Sequence, residues 1–168
     1  MSGINQGWKH STDQDWNTPS MVWEKIIPYI PPDKQIWCPF YNDGYCKVYL
    51  EKQGKTVIHN DEDFWNTMYD DVIVVDNPPY KLPHIVKSKR EIMLRLIRSD
   101  TPFMLLFPTT TIQTAYFKDL KDRYGHFQLC VPSQKYNFEK YEGDKSKCLF
   151  YTLWICWKMD LPNDFNVI

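Results

Sequence analysis

The nine residues from Val72 to Tyr80 constrain the fold of this 168-residue chain more than any other segment. They begin with the apolar run Val-Ile-Val-Val, which is typical of a strand buried on both faces of a parallel sheet. The run ends at Asp-Asn-Pro-Pro-Tyr, because two consecutive prolines fix φ and remove two backbone donors. Asn77, which precedes them, is disfavoured from the helical region. The segment therefore predicts a buried strand whose carboxyl end opens into a rigid loop.

This loop offers hydrogen-bond acceptors and a ring to a flat substrate that carries an amino group. Asn77 Oδ1 and the Pro78 carbonyl can each accept one hydrogen of such an amine. The Tyr80 ring can stack on the face of the substrate. The alternative is purely structural, because Asn-Pro is a common start for a turn and a strand followed by a proline-rich turn needs no ligand.

Strand and helix patterns alternate along the chain. Thr18 as N-cap and Pro19 at the first helical position predict a helix that ends before Pro28. Further helix patterns lie at 45–53, 84–98 and 114–124, and strand patterns at 35–40, 55–59, 72–75, 103–107, 126–131 and 149–159. This alternation predicts an α/β fold with a mostly parallel sheet and helices on both faces. The last two strands have no helix between them and predict an antiparallel hairpin at one edge.

Length and charge favour one domain without a general attraction to nucleic acid. We expect a polar, loose segment at 1–14 and a single domain at 15–168. The net charge is −1, so any basic surface must be local. The start of the chain does not resemble a signal peptide, and the longest apolar run, at 149–157, is too short to cross a bilayer. A soluble protein without a membrane partner is expected.

The five cysteines favour a reducing compartment and no metal site. They are widely spread without a C-x-x-C pair, and the four histidines are far apart in sequence. Most of the cysteines have apolar or aromatic neighbours, where a buried thiol is the usual explanation. We therefore expect no zinc, and a location in the cytoplasm, or in the host cytoplasm or nucleus if the chain is viral. His59 and His84 are not expected to be catalytic.

The order of these elements, with Thr18-Pro19 before the first helix and Asn77-Pro78-Pro79-Tyr80 after an inner strand, resembles the S-adenosylmethionine-dependent adenine methyltransferases of phages and restriction–modification systems. The resemblance covers about residues 15–159 and implies a Rossmann-like methyltransferase fold. It implies that the tetrapeptide is catalytic and that the substrate is the exocyclic amine of adenine, with DNA favoured over RNA. RNA adenine, protein glutamine, and a degenerate subunit that serves as a scaffold stay open as alternatives.

The same resemblance implies which residues bind the cofactor. They are Trp16, Thr18 and Pro19 along the cofactor, Pro39, Phe40 and Gly44 in the turn beneath it, Asp61 at the ribose, Asp63 and Phe64 beside the adenine, and Asp76 before the tetrapeptide. Two of three departures from the family lie in the cofactor turn and in the sheet. Cys38 and Tyr41-Asn42 replace an acid and glycines of the cofactor turn, and a sheet strand is missing between Phe64 and Asp71.

We expect no separate target-recognition domain, which is a third departure from the family, so target contacts would come from loops, a homodimer or a partner subunit. The candidate loops are 81–89, 109–111 and 133–147. The last of these interleaves charge with aromatic rings, as single-strand binders do. The residues expected to bind nucleic acid are Lys81, Lys135, Tyr136, Asn137 and Lys140. The structural alternative is a solvated loop and a solvated basic helix face.

Overall fold

The computed structural model describes residues 16–40, 44–82, 84–140 and 150–168. The strands are β1 (Trp16–Asn17), β2 (Gln35–Trp37), β3 (Val57–Ile58), β4 (Val72–Asp76), β5 (Phe103–Pro108), β6 (Phe127–Val131), β7 (Glu139–Lys140), β8 (Thr152–Trp157) and β9 (Phe165–Val167). The helices are α1 (Ser20–Glu24), α2 (Tyr45–Lys52), α3 (Ser88–Arg98) and α4 (Ala115–Tyr124), with 3₁₀ turns at Ile27–Tyr29 and Thr109–Gln113. The segment 1–14, expected to be loose, lies outside the described residues.

Seven of these strands form one sheet in the order β3-β2-β4-β5-β8-β6-β9. Neighbouring strands run parallel except at β8, which pairs antiparallel with both β5 and β6. Strands β1 and β7 pair separately as a short antiparallel ladder. The described part of the chain is therefore a mixed α/β structure with a mostly parallel sheet, which confirms the class predicted from the alternating patterns.

Helices cover both faces of this sheet. Helices α1 and α2 pack with Ile73 and Val75 of β4 in one core cluster, and α3 and α4 pack with Val72 and Val74 in the other. Successive side chains of a strand point to opposite faces, so the unbroken apolar run of β4 is buried on both. All five residues of β4 are buried. The tetrapeptide thus follows an inner strand, as its sequence predicts.

The carboxyl-terminal side of the sheet differs from the predicted edge hairpin. Strands β6 and β8 do pair antiparallel, but β8 lies inside the sheet between β5 and β6. All six of its residues are buried, which fits an interior position. The edge is β9, which the sequence patterns did not predict, because a three-residue strand with an exposed–buried–exposed pattern is too short to give a periodic signal.

Helices α1 and α3 begin later than predicted, whereas helices α2 and α4 end within one residue of the predicted position. Helix α1 begins at Ser20 without a side-chain cap, so the expectation that Thr18 is the N-cap is wrong. Helix α3 begins at Ser88 because His84 and Lys87 have φ values of 63° and 58°. Helix α4 has Thr114 as its N-cap.

As expected, residues 64–71, all described, form no strand. Among the described residues, no helix has the length and apolar character that crossing a bilayer requires.

Gln128 of β6 fixes the turn that leads into the edge strand. Its Nε2 donates to the carbonyls of Leu161 and Asn163 at 3.0 and 3.2 Å, and its Oε1 accepts from Leu161 N at 2.8 Å. Asn166 of β9 adds a bond from its Nδ2 to the Leu129 carbonyl at 3.1 Å. These side-chain bonds supplement the parallel ladder between β6 and β9.

Replacing Gln128 with Ala should therefore destabilise the edge of the sheet. The variant leaves the Leu161 amide without its side-chain acceptor, and we expect the free energy of unfolding to fall by about 1–3 kcal/mol. Urea denaturation measures this change. Gln134→Ala, at an exposed site outside the strands, is the matched control and should change stability by less than about 0.5 kcal/mol. Equal stability of the two variants would contradict this role of Gln128.

Candidate active site

The carboxyl ends of β2, β3 and β4 lie side by side at one edge of the sheet, because these strands are parallel neighbours. The chain runs from β2 outward to β3 on one side and then returns to β4 on the other. Open α/β sheets bind ligands in the crevice beyond the strand ends where the strand order reverses in this way. We call this edge, with the loops that follow Trp37, Ile58 and Asp76, the rim.

Asp76, the last residue of β4, joins two loops of the rim. Its Oδ2 accepts from Phe40 N and its Oδ1 accepts from Asn77 N, each at 2.8 Å. Only 3% of its surface is exposed. Burial, together with the nearby Cys46, raises the pKa of Asp76 to about 8, although His59 and the two backbone donors oppose this rise. The carboxyl group thus holds the loop after β2 against the tetrapeptide.

The side chain of Asn77 is held from two sides. Its Nδ2 donates to Thr18 Oγ1 at 2.9 Å, and its Oδ1 accepts from the Tyr80 hydroxyl at 3.0 Å. Thr18 lies 59 residues away in the chain, so the fold brings the Thr-Pro element to the tetrapeptide. An amide oxygen has two lone pairs, and Tyr80 uses one of them. Asn77 Oδ1 can therefore accept a hydrogen bond from one further donor.

Tyr80 lies between an aromatic cluster and a cationic cleft. Its ring centroid is 6.2 Å from that of Phe107 and 5.7 Å from that of Phe150. On its other side an open cleft of about 330 Å³ is lined by Tyr80, Lys81, Leu82, Ile85, Lys87, Ser88, Lys89 and Tyr116. Lys89 Nζ donates to the Tyr80 carbonyl at 3.5 Å, and burial and Lys81 lower the pKa of Lys89. We call the cleft of about 330 Å³ beside Tyr80 the lysine cleft.

Phe64, expected beside an adenine, is a core residue here. It is 2% exposed, and its ring packs against Trp37, Phe40 and Trp65 with centroid separations of 4.9–5.9 Å. The Arg95 guanidinium lies 5.4 Å from the Phe64 ring centroid and donates to the Phe64 carbonyl at 3.0 Å. Phe64 therefore packs in the core, and the Arg95 side chain contacts both its ring and its carbonyl.

The other residues expected at the cofactor have varied surroundings. Asp61 is exposed beyond β3, and Asp63 accepts from Trp65 N at 3.0 Å to close a turn. Pro39 is buried beside Phe40, Pro19 is half-buried at the start of α1, and Gly44, with φ of 79°, begins α2. The Trp16 backbone pairs with Lys140, but both side chains lie outside the described residues, as do Tyr41 and Asn42.

The expectation that the Tyr136 ring is available to stack on a base is wrong. Tyr136 and Phe138 are 2% and 3% exposed and belong to the core cluster of α1 and α2. Lys135 Nζ lies 5.2 Å from the centroid of the Tyr151 ring, and Asn137 is exposed. Polar neighbours made residues 133–138 resemble a solvated loop, but Tyr136 and Phe138 anchor them to the core, and residues 141–149 lie outside the part of the chain that the structure describes.

Sequence reasoning missed one group of side chains beneath the rim. The ligand atoms of Cys38, Cys46 and His59 all lie within 4.8 Å of one another. Burial would lower the pKa of His59, but Cys46 raises it to about 9, and hydrogen bonds from Cys38 and His59 lower the pKa of Cys46 to about 6. The usable signal was positional: Cys38 and His59 each directly follow residues that pair in the β2–β3 register.

No protein-family model, no curated protein and no solved structure matches this chain. Its function can therefore be inferred only from its own residues and their geometry. The rim, with Asn77 held between Thr18 and Tyr80 and the lysine cleft beside it, is the strongest basis for that inference.

The raised pKa of Asp76 predicts a pH dependence of stability. Because this pKa is about 8 in the folded chain and 3.8 for an ordinary aspartate, the folded state binds more protons between these values. The contribution of protonated Asp76 to the free energy of unfolding is therefore fully present below pH 3.8, and it is lost as the pH rises through about 8. Asp76→Asn cannot titrate and should remove this contribution from urea-denaturation profiles recorded across that range. Asp70→Asn, at an exposed site, is the control. Identical profiles for wild type and Asp76→Asn would contradict the prediction.

Proposed function

We propose that this chain transfers a methyl group from S-adenosylmethionine to the exocyclic amine of adenine in DNA. The observation that carries the proposal is the restrained amide of Asn77. It lies at the carboxyl end of an inner strand, bonded to Thr18 and Tyr80, where the strand order reverses. This is a position at which a positioned acceptor can meet an amine substrate and a second ligand bound in the crevice.

The surroundings of Asn77 support a cofactor with its methyl end at the tetrapeptide. Thr18, which the resemblance assigns to the cofactor, directly contacts the Asn77 amide. Asp61, exposed beyond β3, carries carboxylate oxygens suited to ribose hydroxyls. Phe64 does not fit the expected role, because its ring is buried, so the adenine of the cofactor would need other contacts. The reversal of strand order also supports the Rossmann-like fold that the resemblance implies.

The chemistry assigned to the tetrapeptide is orientation and electrostatic activation. S-adenosylmethionine, when bound, supplies a methyl group on a sulfonium, which a neutral amine can attack. The adenine amine is a poor nucleophile because its lone pair is conjugated with the ring. Asn77 Oδ1 and the Pro78 carbonyl would accept its hydrogens, raise the electron density on nitrogen and aim its lone pair. Tyr80 and Thr18 keep the Asn77 oxygen, rather than its nitrogen, available to that amine.

The lysine cleft favours nucleic acid over a protein substrate. The chain has a net charge of −1, yet Lys81, Lys87 and Lys89 line one cleft next to Tyr80. Phosphate contacts position a protein on nucleic acid, and a base must leave the duplex stack to reach an active site. An adenine at Tyr80 would thus have its flanking phosphates close to these lysines. A glutamine amide fits the same acceptors but needs no such cleft. RNA adenine remains the second candidate substrate.

Asn77→Ala should abolish methyl transfer while leaving cofactor affinity unchanged, because the lost acceptor acts on the substrate amine. Thr18→Val keeps the side-chain shape but releases the Asn77 amide, and we expect the rate to fall by about 10- to 100-fold. Transfer of tritium from labelled cofactor to duplex DNA, single-stranded DNA, RNA and protein extract measures both effects and identifies the substrate. Asn163→Ala, at an exposed turn, is the control and should behave as wild type. Full activity in Asn77→Ala would rule out the mechanism.

The double variant Lys81→Gln, Lys89→Gln should weaken DNA binding and reduce its salt dependence. Each lost phosphate contact lowers the slope of log affinity against log salt by about 0.9 for duplex DNA. Fluorescence anisotropy at several salt concentrations measures that slope. The control, Lys25→Gln with Lys52→Gln, removes the same charge from exposed ends of α1 and α2. If both double variants lose the same affinity, only net charge matters and the lysine cleft is not the contact surface.

A further inference from the structure

Three side chains with metal-binding atoms converge beneath the rim, although they come from separate parts of the chain. Cys38 directly follows β2, Cys46 lies in the first turn of α2, and His59 directly follows β3. They are 0%, 8% and 5% exposed. Parallel pairing of Trp37 with Ile58 places the residues after them next to each other at the same edge. The cluster is therefore a product of sheet register, not of local sequence spacing.

The spacing of these atoms fits a tetrahedral cation. Zinc bonds are about 2.3 Å long to sulfur and about 2.0–2.1 Å long to nitrogen. In a tetrahedral site, a sulfur ligand and a nitrogen ligand are therefore roughly 3.6 Å apart. Cys46 Sγ and His59 Nε2 are 3.7 Å apart. All ligand atoms of the group lie within 4.8 Å of one another, so only a small contraction would close the site around an ion.

The histidine has the orientation that metal-binding histidines usually have. Its Nδ1 lies 2.7 Å from the Cys38 carbonyl. A carbonyl can only accept, so Nδ1 carries the hydrogen, and Nε2 is the atom directed at Cys46. A hydrogen bond from the second ring nitrogen to a carbonyl fixes the tautomer and orients the ring in metal sites. This arrangement exists in the fold before any ion binds.

We propose that Cys38, Cys46 and His59 form a binding site for a thiophilic divalent cation, with zinc the best fit. Two thiolates and one neutral imidazole make a soft donor set that suits zinc and disfavours magnesium or calcium. Three protein ligands leave the fourth tetrahedral position for a water. Because the ion binds thiolates and a neutral imidazole, its binding would release the protons that these groups hold in the metal-free chain. No electron transfer is involved.

An ion at this site would tie the ends of β2 and β3 to the first turn of α2. Cys38 immediately precedes Pro39-Phe40, and Cys46 lies two residues after Gly44, so the two thiol ligands flank the link from β2 to α2 in the sequence. The site does not depend on the proposed methyl transfer and can be tested without it.

Cobalt titration of the full chain, purified reduced and metal-free, tests the proposal. Cobalt is the probe because thiolate coordination gives charge-transfer absorption in the near ultraviolet and intense visible bands in tetrahedral sites. We expect saturation at one ion per chain, displacement of cobalt by zinc, and a release of protons on binding, seen in calorimetry across buffers. Cys46→Ser and His59→Gln should each weaken binding by more than about 100-fold.

The matched control is Cys130→Ser, because Cys130 and Cys156 form another pair of interacting buried cysteines, in β6 and β8. This variant should bind cobalt as wild type does. Absence of the charge-transfer band in the reduced wild-type chain would overturn the proposal, as would a Cys38–Cys46 disulfide that forms in place of metal binding. An unchanged charge-transfer band in both Cys46→Ser and His59→Gln would also overturn the proposal. If those variants fail to fold, the wild-type stoichiometry, the proton release and a lower melting temperature after chelation decide the question.

Discussion

The rim depends on one buried carboxyl group. Asp76 ends the inner strand β4, and its two oxygens accept the backbone hydrogens of Phe40 and Asn77. A polar group buried this deeply is costly unless its hydrogen-bonding capacity is used, and here both oxygens are used. Because each oxygen accepts one of these backbone hydrogens, the carboxyl group fixes the loop after β2 and the tetrapeptide after β4 relative to each other. The position of Asn77 against Thr18 follows from that constraint.

The same rim combines two kinds of chemistry at different depths. At its surface, the Asn77 amide, the Tyr80 ring and the lysine cleft could hold a substrate amine, a base and phosphates. Beneath it, Cys38, Cys46 and His59 form a compact, buried donor set. In the two proposals, the outer residues would act on the substrate amine, and the inner ones would bind a cation that ties β2 and β3 to α2. A catalytically degenerate chain could keep the inner site, so the two proposals can fail separately.

Local signals in the sequence predicted the elements that short-range physics determines. The β-branched run before Asn77 predicted a strand buried on both faces. The predicted ends of α2 and α4 agree with the structure within one residue, and Gly54 and Gly125, which follow these helices, have positive φ values. Apart from the late starts of α1 and α3, the errors concern contacts between distant residues. The interior place of β8 is set by its pairing with β5 and β6, which no local pattern reveals. Tyr136 is buried by packing that its polar neighbours conceal, and the cluster of Cys38 with His59 follows from strand register alone.

Calorimetric titration with S-adenosylmethionine tests the central claim most directly, because every proposed step at Asn77 requires a ligand in the crevice of the rim. We predict saturable binding of one molecule per chain, retained in Asn77→Ala and weakened in Asp61→Ala, since only the second variant loses a proposed ribose contact. Absence of heat together with an unchanged melting temperature at millimolar ligand would contradict the account. The rim would then be only a structural edge of the sheet.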